Sequence, residues 1–310
     1  MSKNISFIFT GQGSQSIGMG KDFYEKSPLA RDIFHKASKR LGIDMKALLF
    51  EENENLNETE FAQPAILLVS AVAFKLFEDA VRITPKFVLG HSLGEISSLI
   101  SVGALDIYDA LELVRERGLL MKKACEGKNA GMMVLVGLDD EKAEALCAQA
   151  REEGKQIWAA NFNSDGQIVI AGLKDDLNAY AESFKAAGAK RAMLLSMSVA
   201  SHCPLLESAR ESLKDKLRLF LKESFNSPVI SNVNALPYNT KDDALRLLSE
   251  QLVKPVLYKQ SIAGQKVDAF IEFGGSVLKG LNKRLNEAPT LSVTDMASLE
   301  EAVSFIKNQN

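Results

Sequence analysis

The chain has 310 residues, 46% of them hydrophobic and 25% charged, with a formal net charge of -3. This ordinary globular composition excludes a disordered chain and suffices for one large domain, or a large one with a smaller companion. The slight negative balance excludes the strongly basic surface that phosphate-backbone binding requires, so nucleic acid is not an expected partner.

Met1-Ser2-Lys3-Asn4 carries one positive charge, and the apolar run behind it is too short for a signal peptide, so Ile5–Phe9 is expected as a first strand. Amphipathic spacing predicts helices near Leu29–Leu41 and Pro64–Glu78, a strand at Lys86–Leu89, and helices after Ser92 and over 107–125. The alternation argues for an α/β fold with a mainly parallel sheet. The most apolar stretch, Ala65 to Phe74, falls short of the roughly 18 residues a membrane span needs, so no membrane association is expected.

The middle of the chain has its own rhythm: strand Met132–Gly137, helix Glu141–Glu153, strands Ile157–Asn161 and Gln167–Ala171, helix Asp175–Ala187, strand Arg191–Leu195. This β-α-β-β-α-β order is ferredoxin-like, with Asp165-Gly166 at the hairpin turn. It predicts an inserted small subdomain over 128–196, flanked by a large subdomain built from 1–127 and 197–310. The latter resumes with a helix over Leu205–Lys222, a strand Val229–Val233, a helix Ala244–Leu252, a strand Ala269–Phe273 and a final helix Leu299–Ile306. Three widely spaced cysteines, Cys125, Cys147 and Cys203, form neither a disulfide framework nor a zinc pattern, so no metal and a reducing, cytoplasmic setting are expected.

The chemistry centres on Gly90-His91-Ser92-Leu93-Gly94, a G-x-S-x-G turn between a buried-looking strand and a helical pattern. In that context the turn is a nucleophile elbow. It raises the serine oxygen above the sheet and sets a helix N-terminus behind it for developing negative charge. A serine nucleophile needs a base, and the chain has three histidines. His35 lies within a helix and His91 is expected to point away from its neighbour Ser92. That leaves His202, in the loop-like stretch before Pro204. No acid that would orient it stands out, since Asp106, Asp109, Asp139 and Asp165 all read as surface or capping residues.

Two further features are weaker when read by spacing alone. Thr10-Gly11-Gln12-Gly13-Ser14 is a glycine-rich turn that fits neither a dinucleotide fingerprint nor a phosphate loop. Arg115 and Arg117 flank the apolar stripe of helix 107–125, Arg117 nearer its centre, where a buried arginine would grip a carboxylate in bidentate fashion.

Taken together, Gly11-Gln12-Gly13-Ser14-Gln15, Gln63-Pro64-Ala65, Gly90-His91-Ser92-Leu93-Gly94-Glu95, Arg117-Gly118, Asn161 through Gly172, Ser201-His202-Cys203-Pro204 and Gln251 before Pro255 strongly resemble the malonyl-CoA:acyl carrier protein transacylases. The resemblance spans essentially the whole chain and is shared more distantly with polyketide synthase acyltransferase domains. It implies an α/β-hydrolase-like large subdomain, Ser92 as nucleophile and His202 as base. The oxyanion hole would be formed by the amides of Gln12 and Leu93. Arg117 would bind the malonyl carboxylate, the Gln251 carbonyl would orient His202, and Asn161 would line the site. It further implies no bound cofactor, a coenzyme A thioester as substrate, and acyl carrier protein as partner. Because carrier proteins are acidic, Lys190, Arg191, Lys279, Lys283 and Arg284 are candidates for docking.

Three positions depart from the family pattern: Thr10 stands where proline is usual, Gly274-Gly275-Ser276 replaces G-P-G, and Ala200-Ser201-His202 resembles the methylmalonyl-preferring class. The alternatives are therefore a methylmalonyl-type acyltransferase, a lipase-like serine hydrolase with an acidic third member, and a scaffold that has lost activity.

Overall fold

The computed structural model describes residues 3–308. Two sheets organise it. The larger runs β10-β9-β1-β2-β7-β8 and is built from β1 (Ile5–Phe9), β2 (Val88–Gly90), β7 (Val229–Ile230), β8 (Pro237–Tyr238), β9 (Ala269–Phe273) and β10 (Thr290–Val293). Its pairings are parallel apart from the short antiparallel edge strand β8. The smaller sheet, β4-β5-β3-β6, is antiparallel and consists of β3 (Ala130–Val136), β4 (Ile157–Ser164), β5 (Gln167–Leu173) and β6 (Arg191–Leu194). Its two helices, Asp140–Glu152 and Lys174–Ala186, complete the expected ferredoxin-like order.

All five residues of β1 are buried, as for a strand covered by helices on both faces. Phe7 and Phe273 pack edge-on with centroids 5.3 Å apart, and Phe77 meets both rings within 5.7 Å. Each such ring contributes about 1.5–3 kcal/mol by leaving water. Phe77 belongs to the helix Thr59–Ala80, which is longer than the apolar run suggests. By length and composition it could cross a membrane, yet most of it is buried as a core helix.

Register brings the chemistry to one edge. Phe9 pairs with Gly90, so the turn after β1 and the elbow after β2 emerge side by side at the carboxyl ends of neighbouring parallel strands. Sites of α/β sheets form at such edges. Gly94 has a steric reason, since a Cβ there would lie 2.0 Å from the Phe9 carbonyl oxygen. Gly118 has another. A Cβ would stand 2.7 Å from Glu60 Cα, so glycine lets the helix Ile107–Ala124 press against Thr59–Ala80.

Several expectations change. The strand predicted over Val229–Val233 stops at Ile230, because Asn232 turns its N–H from the ladder to the Glu95 carboxylate at 2.9 Å. The helix predicted from Leu205 begins at Glu207, after a 3-10 turn over Pro204–Leu206. Edge strand β10 and the helices Lys21–Lys26, Met45–Phe50, Tyr258–Ile262 and Val277–Asn282, of five or six residues each, escaped the periodicity reading.

Candidate active site

Ser92 sits at φ 53°, ψ -105°, between β2 and the helix Leu93–Ser101. Such a backbone costs on the order of 1–3 kcal/mol and persists only when held from outside. Its N–H donates to Asn232 Oδ1 at 2.7 Å, and Asn232 Nδ2 donates to the Gly90 carbonyl at 2.7 Å. Asn232 thus clamps both sides of the elbow. His202 is the second non-glycine residue here with positive φ, at 61°.

Its ring lies between a carbonyl and the serine: Nδ1 is 2.7 Å from the Gln251 main-chain oxygen and Nε2 is 2.8 Å from Ser92 Oγ. A carbonyl only accepts, so Nδ1 carries the hydrogen and Nε2 offers its lone pair to the Ser92 hydroxyl. Burial, followed by the nearby Arg117 charge, pushes the imidazole pKa down to about 3. The ring is therefore neutral near pH 7, as a base must be before it acts. The third member is a backbone carbonyl rather than the acid a lipase-like hydrolase requires. Asp106 caps a helix, while Asp109, Asp139 and Asp165 pair with Arg40, Lys142 and Lys259.

Arg117 is 2% exposed and lies in the site, not beside it. Nη1 donates to Gln63 Oε1 at 2.8 Å; Nη2 donates to Ser92 Oγ at 3.1 Å and to Gln251 Oε1 at 3.2 Å. All three acceptors are neutral, and its buried Nε has no partner. Burial lowers its pKa to about 10 against the opposing pull of Glu95, so it stays charged. Arg115 instead donates to the Leu41 carbonyl.

Beneath these groups is a carboxylate that motif reading left without a role. Glu95 is fully buried and accepts from Gln251 Nε2 at 2.7 Å, Asn232 N–H at 2.9 Å and Tyr238 O–H at 3.1 Å. Burial pushes its pKa up to about 7, while these donors and Arg117 draw it down. A lone acid among Leu93, Gly94 and Ile96 was a usable signal, since a charge there needs buried partners. Asn232 and Tyr238 offered none.

The remaining expected residues also surround the serine. The amides of Gln12, on the turn after β1, and Leu93, at the helix N-terminus, donate to no protein acceptor among the described residues. Asn161 sits at a bulge in β4 and lines the same cavity of about 240 Å³ as Gln12, Ser92, Arg117 and His202. Apolar side chains of the small sheet, among them Met132, Val134 and Val169, line the same cavity from the other side, while Met121 lines it from the helix that carries Arg117. His91 points to the small sheet, where its Nε2 meets Asn163 Oδ1 at 2.8 Å. Lys190, Arg191, Lys279, Lys283 and Arg284 are all exposed. Among the described residues no group of three His, Cys, Asp or Glu side chains could hold a metal, and the three cysteines are unpaired and buried.

A serine paired with a neutral, carbonyl-backed histidine, at a helix N-terminus and beside a buried guanidinium, has the layout of serine-dependent acyl-transfer proteins. The chain belongs to the acyl transferase domain family, which it matches over residues 6–308. It is 40% identical over 316 residues to the malonyl CoA-acyl carrier protein transacylase of Bacillus subtilis, covering 100% of this chain and 99% of that one. The crystal structure of malonyl-CoA:acyl carrier protein transacylase from Helicobacter pylori superposes with a TM-score of 0.97 at 46% identity, with 100% of both chains covered. A malonyl-transacylase in complex with its type II PKS acyl-carrier protein matches with a TM-score of 0.93 at 35% identity, over 99% of this chain and 100% of that one.

Proposed function

We propose that this protein transfers a malonyl group from coenzyme A to the phosphopantetheine thiol of acyl carrier protein through a malonyl ester on Ser92, supplying fatty acid synthesis. The observation that carries the acyl identity is Arg117, a buried charged group facing three neutral oxygens with its Nε unpartnered. Such a guanidinium calls for an anion, and the free carboxylate of malonate supplies one on the acyl group itself.

In the first half-reaction His202 Nε2 takes the Ser92 proton as Oγ attacks the thioester carbonyl. The Gln12 and Leu93 amides hold the oxyanion, each contributing about 2.7–4 kcal/mol to the transition state. The C–S bond then breaks, and the proton passes from His202 to the coenzyme A sulfur. In the second half His202 deprotonates the carrier thiol, which attacks the ester, and Ser92 recovers its proton. The acyl group arrives as a thioester, so no bound cofactor takes part. We assign Asn161 to the cavity wall, 128–196 to a small subdomain covering the site, and the protein to the cytoplasm, in keeping with its unpaired cysteines.

Intact mass after incubation with malonyl-CoA should gain one malonyl group, and Ser92→Ala should gain none. An undiminished adduct in Ser92→Ala would refute the covalent step. In an acyl-CoA panel, Arg117→Ala should lose about 100-fold of the preference for malonyl over acetyl; a retained preference would remove Arg117 as selector.

A further inference from the structure

Three buried or half-buried side chains, Gln63, Thr59 and Gln12, join the arginine to the turn after β1. Arg117 Nη1 donates to Gln63 Oε1 at 2.8 Å, Gln63 Nε2 donates to Thr59 Oγ1 at 2.9 Å, and Thr59 Oγ1 donates to Gln12 Oε1 at 3.0 Å. The direction of the first two links is forced. A guanidinium can only donate, so the Gln63 amide must turn its oxygen to Arg117 and its NH₂ toward Thr59. The Thr59 oxygen accepts from Gln63, and its hydrogen points onward to Gln12 Oε1. Gln63 is fully buried and Thr59 is 6% exposed, so water competes weakly for these groups. Bonds aligned head to tail from a charged donor strengthen one another in such surroundings.

We infer that Thr59 is a positioning residue that links carboxylate recognition at Arg117 to the placement of the Gln12 amide beside the Ser92 oxyanion. The inference rests on the roles proposed above for Arg117 and Gln12. Thr59 opens the helix Thr59–Ala80 and touches no reacting atom, so its effect passes through Gln63 and Gln12. A malonyl carboxylate seated on the guanidinium meets an arginine already tied to the oxyanion turn, whereas an acetyl group leaves that tie unused.

The test compares Thr59→Val, which keeps shape and removes the hydroxyl, with Thr59→Ser, which keeps the hydroxyl. In single-turnover acylation by malonyl-CoA, Thr59→Val should lower the maximal rate about tenfold with the half-saturating concentration little changed, and Thr59→Ser should remain within about twofold of wild type. In an Arg117→Ala background, Thr59→Val should slow the remaining acylation by malonyl-CoA by less than about twofold more, because the chain has lost its head. An unchanged rate in Thr59→Val overturns the inference, as does a full tenfold loss in the Arg117→Ala background. Absence of a Ser92 adduct in wild type would instead refute the acyl-serine assignment, which separates the two failures.

Discussion

The two walls of the cavity are held in opposite ways. On the large-sheet side Ser92, Asn232, Glu95, Gln251, Arg117 and His202 form one connected network, in which Gln251 alone bonds all five of the others through its side chain or main-chain oxygen. On the small-sheet side the wall is mostly apolar, and its direct polar tie to the elbow is the pair His91–Asn163. The network holds the reacting atoms in place, and a misplacement of about 1 Å can cost on the order of 100-fold in rate. An apolar wall fixes volume, which selects by size. Arg117 apart, which selects by charge, substitutions on the two sides should therefore differ in kind: rate on the first, acyl preference by size on the second.

The largest effect is expected at His202, the proposed base. His202→Ala should reduce acylation on the order of 10⁴-fold in single-turnover measurements. A related pH test sharpens the same side. Because burial and Arg117 hold the imidazole near 3 rather than its ordinary 6.5, wild-type kcat/KM should stay level from pH 7 down to about 5. Arg117→Ala removes the second cause, so its acid limb should move to higher pH. For stability the sign follows from the depressed value: between 6.5 and about 3 the unfolded chain binds the proton first, so His202 contributes stability that is lost as pH falls through that window.

Next in size is Glu95→Gln. The substitute keeps the shape but removes the charge and turns an NH₂ toward one or more of the three donors that now bond the carboxylate. Acylation should fall about tenfold and thermal unfolding should report a loss of about 1–3 kcal/mol. Equal rates with a lower Tm would make Glu95 a purely structural group and break the unity of the network.

The same contrast governs what could be read from the sequence. The elbow turn, the histidine that meets Ser92 and the strand order of the small sheet were legible because each is local: a G-x-S-x-G turn, a choice among three histidines, an alternation of strand and helix periods. Arg117 was placed beside an apolar stripe, but only the glycine-mediated approach of the helices Ile107–Ala124 and Thr59–Ala80 turns it inward. Asn232 and Tyr238 were illegible because their roles come from contacts 137 to 143 positions away along the chain. The strand expected through Val233 failed for the same reason, since Glu95 outcompetes the sheet for the Asn232 N–H.

On the apolar wall, Met132→Ala removes a buried side chain of β3 that faces the cavity. The added room should raise methylmalonyl transfer relative to malonyl by up to about tenfold in an acyl-CoA panel. Malonyl acylation itself should change little, even as the vacated space costs about 2–5 kcal/mol of stability. A large drop in malonyl rate with no shift in preference would place this wall among the rate-setting groups and erase the distinction between the two sides.

The smallest effect on rate is expected where the two walls meet. Burial holds His91 below its ordinary pKa, so the ring is neutral, and its Nε2–H donates to Asn163 Oδ1 while the Tyr258 ring lies 5.5 Å away. Asn163→Ala leaves that buried N–H without its acceptor, which should lower stability by about 1–3 kcal/mol. The small sheet nevertheless keeps a second anchor, because Val256 N–H donates to Ala160 O at 2.8 Å and Phe162 N–H to Val256 O at 2.9 Å. With the sheet still seated, acylation by malonyl-CoA should fall no more than about threefold. A loss near that of Glu95→Gln would mean that His91 transmits strain from the small sheet into the elbow, and the polar network would then extend across both walls.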